Sequence, residues 1–458
     1  MPEKKLVSVN PADGSLAGEY EYHSESEIQE LISLAGRDQQ DWRKRSFSGR
    51  SSMMNRAADN LRRNLEKYAD LITLEMGKPV SQARAEIEKC AGVCEYYAEN
   101  AEKFLANEYV DAGGRESYIA YNPLGIVLAV MPWNFPFWQV LRFAAPALMA
   151  GNGVLLKHAS NVTGTALAIE TLFRESGFPA NLFRTLKINS STVGKVIENP
   201  LVRAVTLTGS VPAGQAVAAK AGAELKKSVL ELGGSDPYII LEDADLDYAV
   251  PVCVTSRLIN GGQSCIAAKR FIVVRSRLAE FERLFVAEME RKKMGDPFDE
   301  QYDIGPQSSV ALRNELHKQV AVSIDKGARC LIGGEIPDRQ GAWYPPTVLS
   351  GVLPGMPAYE EEIFGPVAAI IAAEDEEDAI RIANDTQFGL GAAVFTENIE
   401  RGRQIAETRL KAGCCFVNDL VRSDPRLPFG GIGHSGYGRE LSYIGIREFT
   451  NIKAVFVK

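Results

Sequence analysis

The chain has 458 residues, of which 45% are hydrophobic and 24% are charged, and its formal net charge at pH 7 is −8. This length exceeds a single hydrophobic core, so we expect two or three domains. The acidic balance, without a long basic run, argues against a nucleic-acid partner and against an anionic membrane partner.

The seven cysteines are scattered, apart from the pair Cys414-Cys415, and the four histidines show no metal-ligand spacing. This usage is typical of reduced cysteines in a cytoplasmic protein and predicts neither a disulfide framework nor a metal site. No apolar run follows the N-terminal residues 1–5, so we expect no signal peptide. The one membrane-like stretch, residues 123–156, is interrupted by Asn134, Arg142 and three prolines, which favours a buried strand, a turn and a buried helix.

Residues 24–106 are typical of long amphipathic helices, because apolar side chains such as Ile28, Leu31 and Ile32 recur at helical spacing. Residues 107–122 differ, since aromatic and β-branched residues flank the turn at 111–114 and indicate a hairpin. A projecting hairpin has bare edges, so we expect it to pair with another subunit.

From Gly125 onwards short apolar runs alternate with helical segments, which indicates parallel sheets covered by helices on both faces. The first series of predicted strands covers residues 126–130, 153–156, 182–186, 204–207 and 229–230. Between them lie predicted helices at 137–149, 163–175, 192–198 and 213–221. The second series covers residues 239–240, 271–274, 367–371, 392–395 and 415–417.

Glu231 and Cys265 both lie among glycines, in Glu231-Leu-Gly-Gly and in Gly262-Gln-Ser-Cys265. A thiolate is a nucleophile for carbonyl carbon, and a nearby carboxylate can later activate water. The glycines allow backbone N–H groups to approach a substrate or cofactor closely. Taken alone, Cys265 is equally compatible with a small buried core cysteine.

Several motifs in this order resemble the aldehyde dehydrogenase superfamily, and most of all its succinate-semialdehyde dehydrogenases. Besides the two segments above they are Pro132-Trp-Asn-Phe, Glu361-Glu-Ile-Phe-Gly-Pro and Pro428-Phe-Gly-Gly followed by Gly438-Arg-Glu. The resemblance implies an α/β fold with a Rossmann-type parallel-sheet cofactor domain (1–106 and 124–233) and an α/β catalytic domain (234–440). It also implies a small β oligomerisation arm (107–123 and 441–458) and hence a homodimer or homotetramer.

The predicted cofactor site begins at Thr208-Gly209-Ser210, where a strand leads into a helix whose N-terminus can bind phosphate. A plain strand–helix turn is the alternative. The glycine motif at 431–436 has no room for a following βαβ unit, so we interpret it as a loop beside the active site. With the resemblance, the cofactor contacts are Trp133, Lys157, Ser160, Gly209, Ser210, Gly214, Glu362 and Phe364. Because Ser160 stands where the family often has a Glu that binds the ribose hydroxyls, we predict that NADP is preferred and NAD is tolerated.

The resemblance implies that Cys265 attacks an aldehyde, that Asn134 holds the oxyanion and that Glu231 activates water for thioester hydrolysis. A helix-capping role is the alternative for Asn134, and the two roles are compatible. Alternative functions are CoA-acylating chemistry, a Cys–His hydrolase using His434, oxidation of another small aldehyde, and a non-enzymatic role on the same fold. The retained Glu231 argues against CoA-acylating chemistry, which needs no water-activating base.

Arg142 lies in an apolar helical segment whose positions three and four residues away carry no acid. A buried guanidinium needs a partner. The partner is either an acid from elsewhere in the fold or a substrate carboxylate. The resemblance favours the substrate and adds Ser423 as a second carboxylate donor, so we predict succinate semialdehyde as the substrate.

Overall fold

The computed structural model describes residues 5–458, which fold into fifteen α-helices and eighteen β-strands. The helices are α1 Glu25–Trp42, α2 Phe47–Arg63, α3 Leu65–Met76, α4 Val80–Phe104, α5 Trp138–Met149, α6 Thr163–Glu175, α7 Val193–Glu198, α8 Val211–Ala223, α9 Leu246–Leu258, α10 Leu278–Glu290, α11 Val310–Asp325, α12 Pro357–Glu360, α13 Glu376–Asn384, α14 Ile399–Gln404 and α15 Ser442–Arg447. The strands are β1 Lys5–Val9, β2 Leu16–Glu21, β3 Glu108–Tyr109, β4 Glu116–Pro123, β5 Ile126–Met131, β6 Gly153–His158, β7 Phe183–Thr185, β8 Val202–Thr208, β9 Lys227–Glu231, β10 Pro237–Ile240, β11 Arg270–Val274, β12 Arg329–Ile332, β13 Thr347–Ser350, β14 Val367–Ala373, β15 Gly391–Phe395, β16 Cys414–Val417, β17 Gly436–Tyr437 and β18 Thr450–Val457. The expectation of no signal peptide rests mostly on residues 1–4, which lie outside the described part.

Helices α1–α4 confirm the helical segment predicted for residues 24–106. Helix α1 begins with a capping box, in which the Ser24 hydroxyl accepts from the Glu27 N–H and the Glu27 carboxylate accepts from the Ser24 N–H. The apolar residues Ile28 and Ile32 of this helix are buried. Helix α3 ends at Gly77, whose φ of 77° lies in the left-handed region that favours glycine.

The first sheet has the order β17-β9-β8-β5-β6-β7, in which β5–β9 are parallel and β17 is antiparallel. The chain runs outward from β5 through β6 to β7 and then returns to the other side of β5 as β8. In such sheets ligands bind outside the carboxyl ends of the strands, where the order reverses. Here the residues that follow β5 and β8 include Trp133, Asn134 and Gly209.

The second sheet has the order β12-β13-β14-β11-β10-β15-β16, and only β12 is antiparallel. Both sheets with their covering helices confirm the α/β fold class. Strands β1, β2, β12, β13 and β17 were not predicted from the sequence. Strand β12 is a partly exposed edge strand of four residues and β17 has only two residues, so the apolar patterns of these two strands are too weak to stand out.

A third sheet, of order β18-β4-β3, confirms the predicted hairpin between residues 107 and 122. Strand β18 pairs with β4 along eight residues and leaves most of its own side chains exposed. The pairing of this sheet with another subunit stays a prediction.

The domain boundaries also stay a prediction. Strand β17 belongs to the segment assigned to the catalytic domain, yet it pairs with β9 in the first sheet, so this segment contributes to both sheets. Among the helices of residues 5–458, none is both long enough and apolar enough to cross a membrane.

Candidate active site

Cys265 follows a tight turn between α9 and β11. Three successive residues of this turn, Asn260, Gly261 and Gly262, have φ values of 55°, 60° and 77°. A Cβ added to Gly262 would collide with the backbone of Gly365, so this position requires glycine. The turn leaves Cys265 partly exposed at the junction of two cavities.

The enclosed position of the Cys265 thiol raises its pKa to about 12, and the cations of Lys269 and Arg142 oppose this shift. The Lys269 ammonium donates hydrogen bonds to the carbonyl oxygens of Ser264, at 2.8 Å, and Cys265, at 2.6 Å. Lys269 therefore anchors the backbone of the nucleophile. The thiol itself is neutral in this state and needs a proton acceptor before it can attack.

Asn134 is buried, and neighbouring side chains and backbone groups fix the orientation of its amide. Its Nδ2 donates to the carbonyl oxygen of Gln263 at 3.0 Å, and its Oδ1 accepts from Gln139 Nε2 at 2.9 Å. The amide has two N–H groups, so one of them stays available for a ligand in the cleft that Asn134 shares with Cys265. The side chain does not cap α5, which begins four residues later.

Glu231 is the last residue of β9, and only 1% of the residue is exposed. Neither carboxylate oxygen has a hydrogen-bond partner among residues 5–458. Burial and the charge of Glu440 raise the pKa of this carboxyl well above its usual value, and Arg142 opposes the shift. The glycine-rich loop lies against it, because a Cβ on Gly430 would collide with the Glu231 carboxylate.

Two cavities meet at Cys265. The first has an empty volume of about 890 Å³, part of it open to solvent, and is lined by Cys265 and by most of the predicted cofactor residues, which are Trp133, Gly209, Ser210, Glu362 and Phe364. The second has an empty volume of about 1480 Å³, also partly open to solvent, and is lined by Cys265 together with Arg142 and Ser423. Cys265 therefore lines both the cavity of these cofactor residues and the cavity of Arg142 and Ser423.

The segment from Gly209 to Gly214 joins β8 to α8. Ser210 is the N-cap residue of α8, but its side chain makes no capping hydrogen bond, so the first N–H groups of this helix stay open to a ligand. Gly214 is buried and does not line the cleft. A Cβ at this position would collide with Leu232, so Gly214 allows α8 to pack closely against the first sheet.

Glu362 and the pair of rings Trp133 and Phe364 form the far wall of the cleft. The rings meet edge to face with their centres 5.8 Å apart. Glu362 Oε1 accepts from the Gly234 N–H at 2.9 Å and lies 3.5 Å from Lys269 Nζ. Through Lys269, the Glu362 carboxylate is connected to the backbone of the nucleophile.

Lys157 and Ser160 lie at the carboxyl end of β6 and do not line the 890 Å³ cleft itself. Lys157 is half-buried, and within the described residues no hydrogen bond or ion pair engages its ammonium group. Burial lowers the pKa of this ammonium. Ser160 is exposed, so its hydroxyl is accessible to a ligand.

Arg142 is buried in α5, but its partner is an acid of the chain itself. Arg142 Nε forms an ion pair with Glu440 Oε2, and neither side chain is more than 4% exposed. The guanidinium also lies 4.7 Å from the centre of the Phe429 ring, and its Nη2 donates to Thr208 Oγ1 at 3.4 Å. Of the two partners left open by the sequence, the acid is therefore the one present in this structure. A contact of Arg142 with a substrate carboxylate stays a prediction, and Arg142 does line the larger cavity.

The sequence model of the aldehyde dehydrogenase family matches residues 1–455. The chain belongs to the aldehyde dehydrogenase family. This confirms the resemblance that the motifs indicated and the dehydrogenase class of the enzyme.

Two curated aldehyde dehydrogenases illustrate the similarity. The chain is 48% identical over 452 residues to the probable succinate-semialdehyde dehydrogenase [NADP(+)] of Synechocystis sp., covering 99% of each chain. It is 46% identical over 455 residues to the succinate semialdehyde dehydrogenase [NAD(P)+] of Escherichia coli, covering 99% of this chain and 98% of that one.

Among solved structures, the fold is similar to succinic semialdehyde dehydrogenase from Streptococcus pyogenes in complex with NADP+. The TM-score is 0.97, the identity is 37%, and the similarity covers 99% of each chain. This agreement confirms the aldehyde dehydrogenase fold over almost the whole chain.

Sequence reasoning missed several residues that build this aldehyde dehydrogenase site. Gln139 and Gln263 orient the Asn134 amide, and Lys269 anchors the Cys265 backbone. Polar residues in otherwise apolar surroundings were the available signal, since Gln139 lies in a buried helix and Lys269 directly precedes a buried strand. Glu440 was recognised as part of a motif, but its contact with Arg142 was not predicted.

Proposed function

We propose that this aldehyde dehydrogenase oxidises succinate semialdehyde to succinate, with NADP as the preferred cofactor and NAD as a tolerated one. The observation that carries the proposal is the position of Cys265 between a cleft suited to a dinucleotide and a cavity that contains the cationic side chain of Arg142. The relatives from Synechocystis and Escherichia coli, which carry this activity in their names, support the choice of substrate.

The residues around the first cleft fit NADP. The open N-terminal turn of α8, beginning at Ser210, suits the pyrophosphate, and the unengaged ammonium of Lys157 suits the adenine ribose and its phosphate. Ser160 can donate to that phosphate, whereas a carboxylate at this position would repel it. When bound, NADP supplies the acceptor for the hydride that leaves the aldehyde carbon.

In the first half of the reaction, the Cys265 thiol loses its proton and its sulfur bonds to the aldehyde carbon. This proton passes to solvent through the cleft that Cys265 lines, so the attack itself does not require Glu231. The carbonyl oxygen becomes an oxyanion, to which the free N–H of Asn134 donates. Loss of hydride from the carbon then leaves a thioester on Cys265.

In the second half, the Glu231 carboxylate accepts a proton from water. The water oxygen bonds to the thioester carbon while Asn134 again stabilises the oxyanion. The carbon–sulfur bond breaks, succinate is released and Cys265 is regenerated. The raised pKa of Glu231 matches this role, because a carboxylate with a raised pKa is a stronger base than an ordinary carboxylate.

The substrate specificity of the proposal rests on the larger cavity. Arg142 and Ser423 line it together with Cys265, so an aldehyde at the thiol would place a carboxylate a few carbons away beside polar side chains. A four-carbon aldehyde with a terminal carboxylate fits this arrangement, whereas an uncharged aldehyde leaves the polar groups without a partner.

The decisive experiment is a cofactor-reduction assay with succinate semialdehyde, glutarate semialdehyde and butanal, each with NADP and with NAD. We expect kcat/KM to be highest for succinate semialdehyde with NADP, lower for glutarate semialdehyde and lowest for butanal. Added CoA should not increase the rate. A higher kcat/KM for butanal, or a reaction that requires CoA, would refute the proposal.

Two variants test the proposed chemistry. Cys265→Ala should abolish NADPH formation, because the thioester cannot form. Glu231→Gln should leave a burst of NADPH but slow the steady state, because Gln cannot activate water. Stopped-flow fluorescence separates the burst from the steady state, and full turnover by Cys265→Ala would contradict the mechanism.

We further propose a homodimer or homotetramer that assembles through the sheet of β3, β4 and β18. The exposed apolar side chains of this sheet, which include Tyr109, Ile452 and Phe456, support the proposal. The proposed compartment is the cytoplasm, because a thiol nucleophile such as Cys265 has to stay reduced.

A further inference from the structure

A lysine that plays no part in the mechanism above lies in the larger cavity. Lys89 projects from α4 into the space that Cys265, Arg142 and Ser423 also line. Its ammonium donates a hydrogen bond of 2.7 Å to Ser423 Oγ and lies 4.1 Å from the centre of the Trp138 ring. The side chain is therefore held at a defined place in the cavity.

The other charges near Lys89 are neutralised by their own partners. Arg142 pairs with Glu440, as described above. On the helix of Lys89, Glu86 pairs with the buried Lys78, and burial keeps the Cys90 thiol neutral by raising its pKa well above its usual value.

Asp424 pairs with Arg426. The other charged residues that line this cavity also have partners, which are Asp419 for Arg422, Glu288 for Lys292, Arg84 for Glu300 and the N–H of Lys293 for Asp303. Within residues 5–458 no carboxylate forms an ion pair with Lys89, so its charge in the cavity is uncompensated. An enclosed cation with one hydroxyl and one ring as its neighbours favours an anionic ligand.

We propose that Lys89 is the principal charge partner of the substrate carboxylate and so determines the specificity for aldehydes with a terminal carboxylate. This inference rests on the proposed function and adds a residue to it. The charge of Arg142 is largely offset by Glu440, whereas Lys89 offers a whole charge. Ser423, which accepts from Lys89, can at the same time donate its own hydroxyl hydrogen to the carboxylate.

A pH dependence follows from this assignment. Burial, assisted by the Arg142 charge, lowers the pKa of Lys89 to about 8, while Cys90, Glu86 and Asp424 oppose the shift. Below this pH the ammonium is charged and can bind a carboxylate. Above it the free enzyme loses the charge, so KM for succinate semialdehyde should rise while KM for butanal stays unchanged.

The test compares Lys89→Met, Lys89→Arg and the wild-type enzyme at pH 7 with succinate semialdehyde and with butanal. Lys89→Met should raise KM for succinate semialdehyde about ten- to a hundredfold, the effect of losing a hydrogen bond to a charged group. It should leave kcat and the KM for butanal within about twofold, and it should remove the rise of KM above pH 8. Lys89→Arg, which keeps a cation, should restore most of the affinity.

Lys103→Met is the matched control, because Lys103 is an exposed lysine on the same helix and should behave like the wild type. Equal losses on both aldehydes, or no loss on either, would overturn the assignment of Lys89. A second measurement, inhibition by succinate with butanal as the substrate, distinguishes a wrong assignment of Lys89 from a failure of the proposed function. A raised inhibition constant for succinate in Lys89→Met supports Lys89 as the carboxylate site whichever aldehyde the wild type prefers, and an unchanged constant overturns it.

Discussion

Glu86 of α4 holds the beginning of α5. Its Oε1 accepts hydrogen bonds of 2.9 Å from the N–H groups of Phe137 and Trp138, and its Oε2 forms an ion pair with Lys78. Neither charged side chain is more than 1% exposed. The Lys78 ammonium also lies 3.9 Å from the centre of the Phe135 ring. This buried pair therefore supports the turn that carries the proposed oxyanion donor.

The substitution Glu86→Gln keeps an acceptor for the helix N–H groups but leaves Lys78 buried without a counter-charge. Breaking a buried ion pair in this way costs about 3–5 kcal/mol. For a chain of this length the unfolding entropy is about 1 kcal/mol per degree. The melting temperature should therefore fall by about 3–5 °C. Because Asn134 lies on the same turn, kcat should fall as well.

Scanning calorimetry of the holoenzyme at a fixed protein concentration measures the shift. Glu88→Gln is the matched control, since Glu88 lies on the same helix in an exposed pair with Arg62 and should cost about 1 kcal/mol or less. The double variant Lys78→Met/Glu86→Gln should recover stability, because Met removes the uncompensated buried ammonium while Gln keeps an acceptor for the helix N–H groups.

A shift for Glu86→Gln no larger than that for Glu88→Gln would refute this reasoning. The same conclusion would follow if the double variant were no more stable than the single one. In either case, the backbone contacts of α4 and α5 would have to account for the order of the turn.

Three further predictions concern the chemistry and the cofactor. Asn134→Ala should lower kcat about 10²- to 10³-fold, which is the usual effect of losing one oxyanion donor, and should change the Kd for NADP little. Steady-state rates and cofactor titration measure these two quantities. A loss of kcat below about fivefold would argue against the role of Asn134 as an oxyanion donor. Ser160→Glu should shift the ratio of kcat/KM towards NAD, because a carboxylate repels the phosphate of NADP, and an unchanged ratio would remove Ser160 from the cofactor site. The steady-state rate should rise with pH, and the rise should lie well above pH 4.5, the ordinary pKa of a Glu carboxyl, because Glu231 acts in its deprotonated form and its pKa is raised. A rate that stays flat down to about pH 5 would contradict the role of Glu231 as the base.

Local sequence patterns predicted several of the buried elements closely. Helix α6 occupies the predicted residues, and strands β5 and β8 exceed the predicted runs by only a few residues. Apolar periodicity determines such elements, because one face of each has to be buried. The same patterns failed for β12, an edge strand that forms only because β13 offers it hydrogen bonds.

The sequence by itself also indicated which residues are proposed to carry the chemistry. Cys265, Glu231 and Asn134 were proposed from residue type, from their place among glycines and at the end of a predicted strand, and from the resemblance to aldehyde dehydrogenases. Their roles stay proposals, but the structure does bring Asn134 and Cys265 to one cleft and encloses Glu231 beside the glycine-rich loop.

Only the tertiary structure decided how the charges are paired. Arg142 lies against Glu440, and Lys89 lies against Ser423, 334 positions further along the chain. No local pattern encodes these pairs, because electrostatic and hydrogen-bonding energies depend on distance in space and on burial, and not on separation along the chain. The uncompensated charge of Lys89 in the larger cavity therefore depends on the packing of α4 against the loop that carries Ser423.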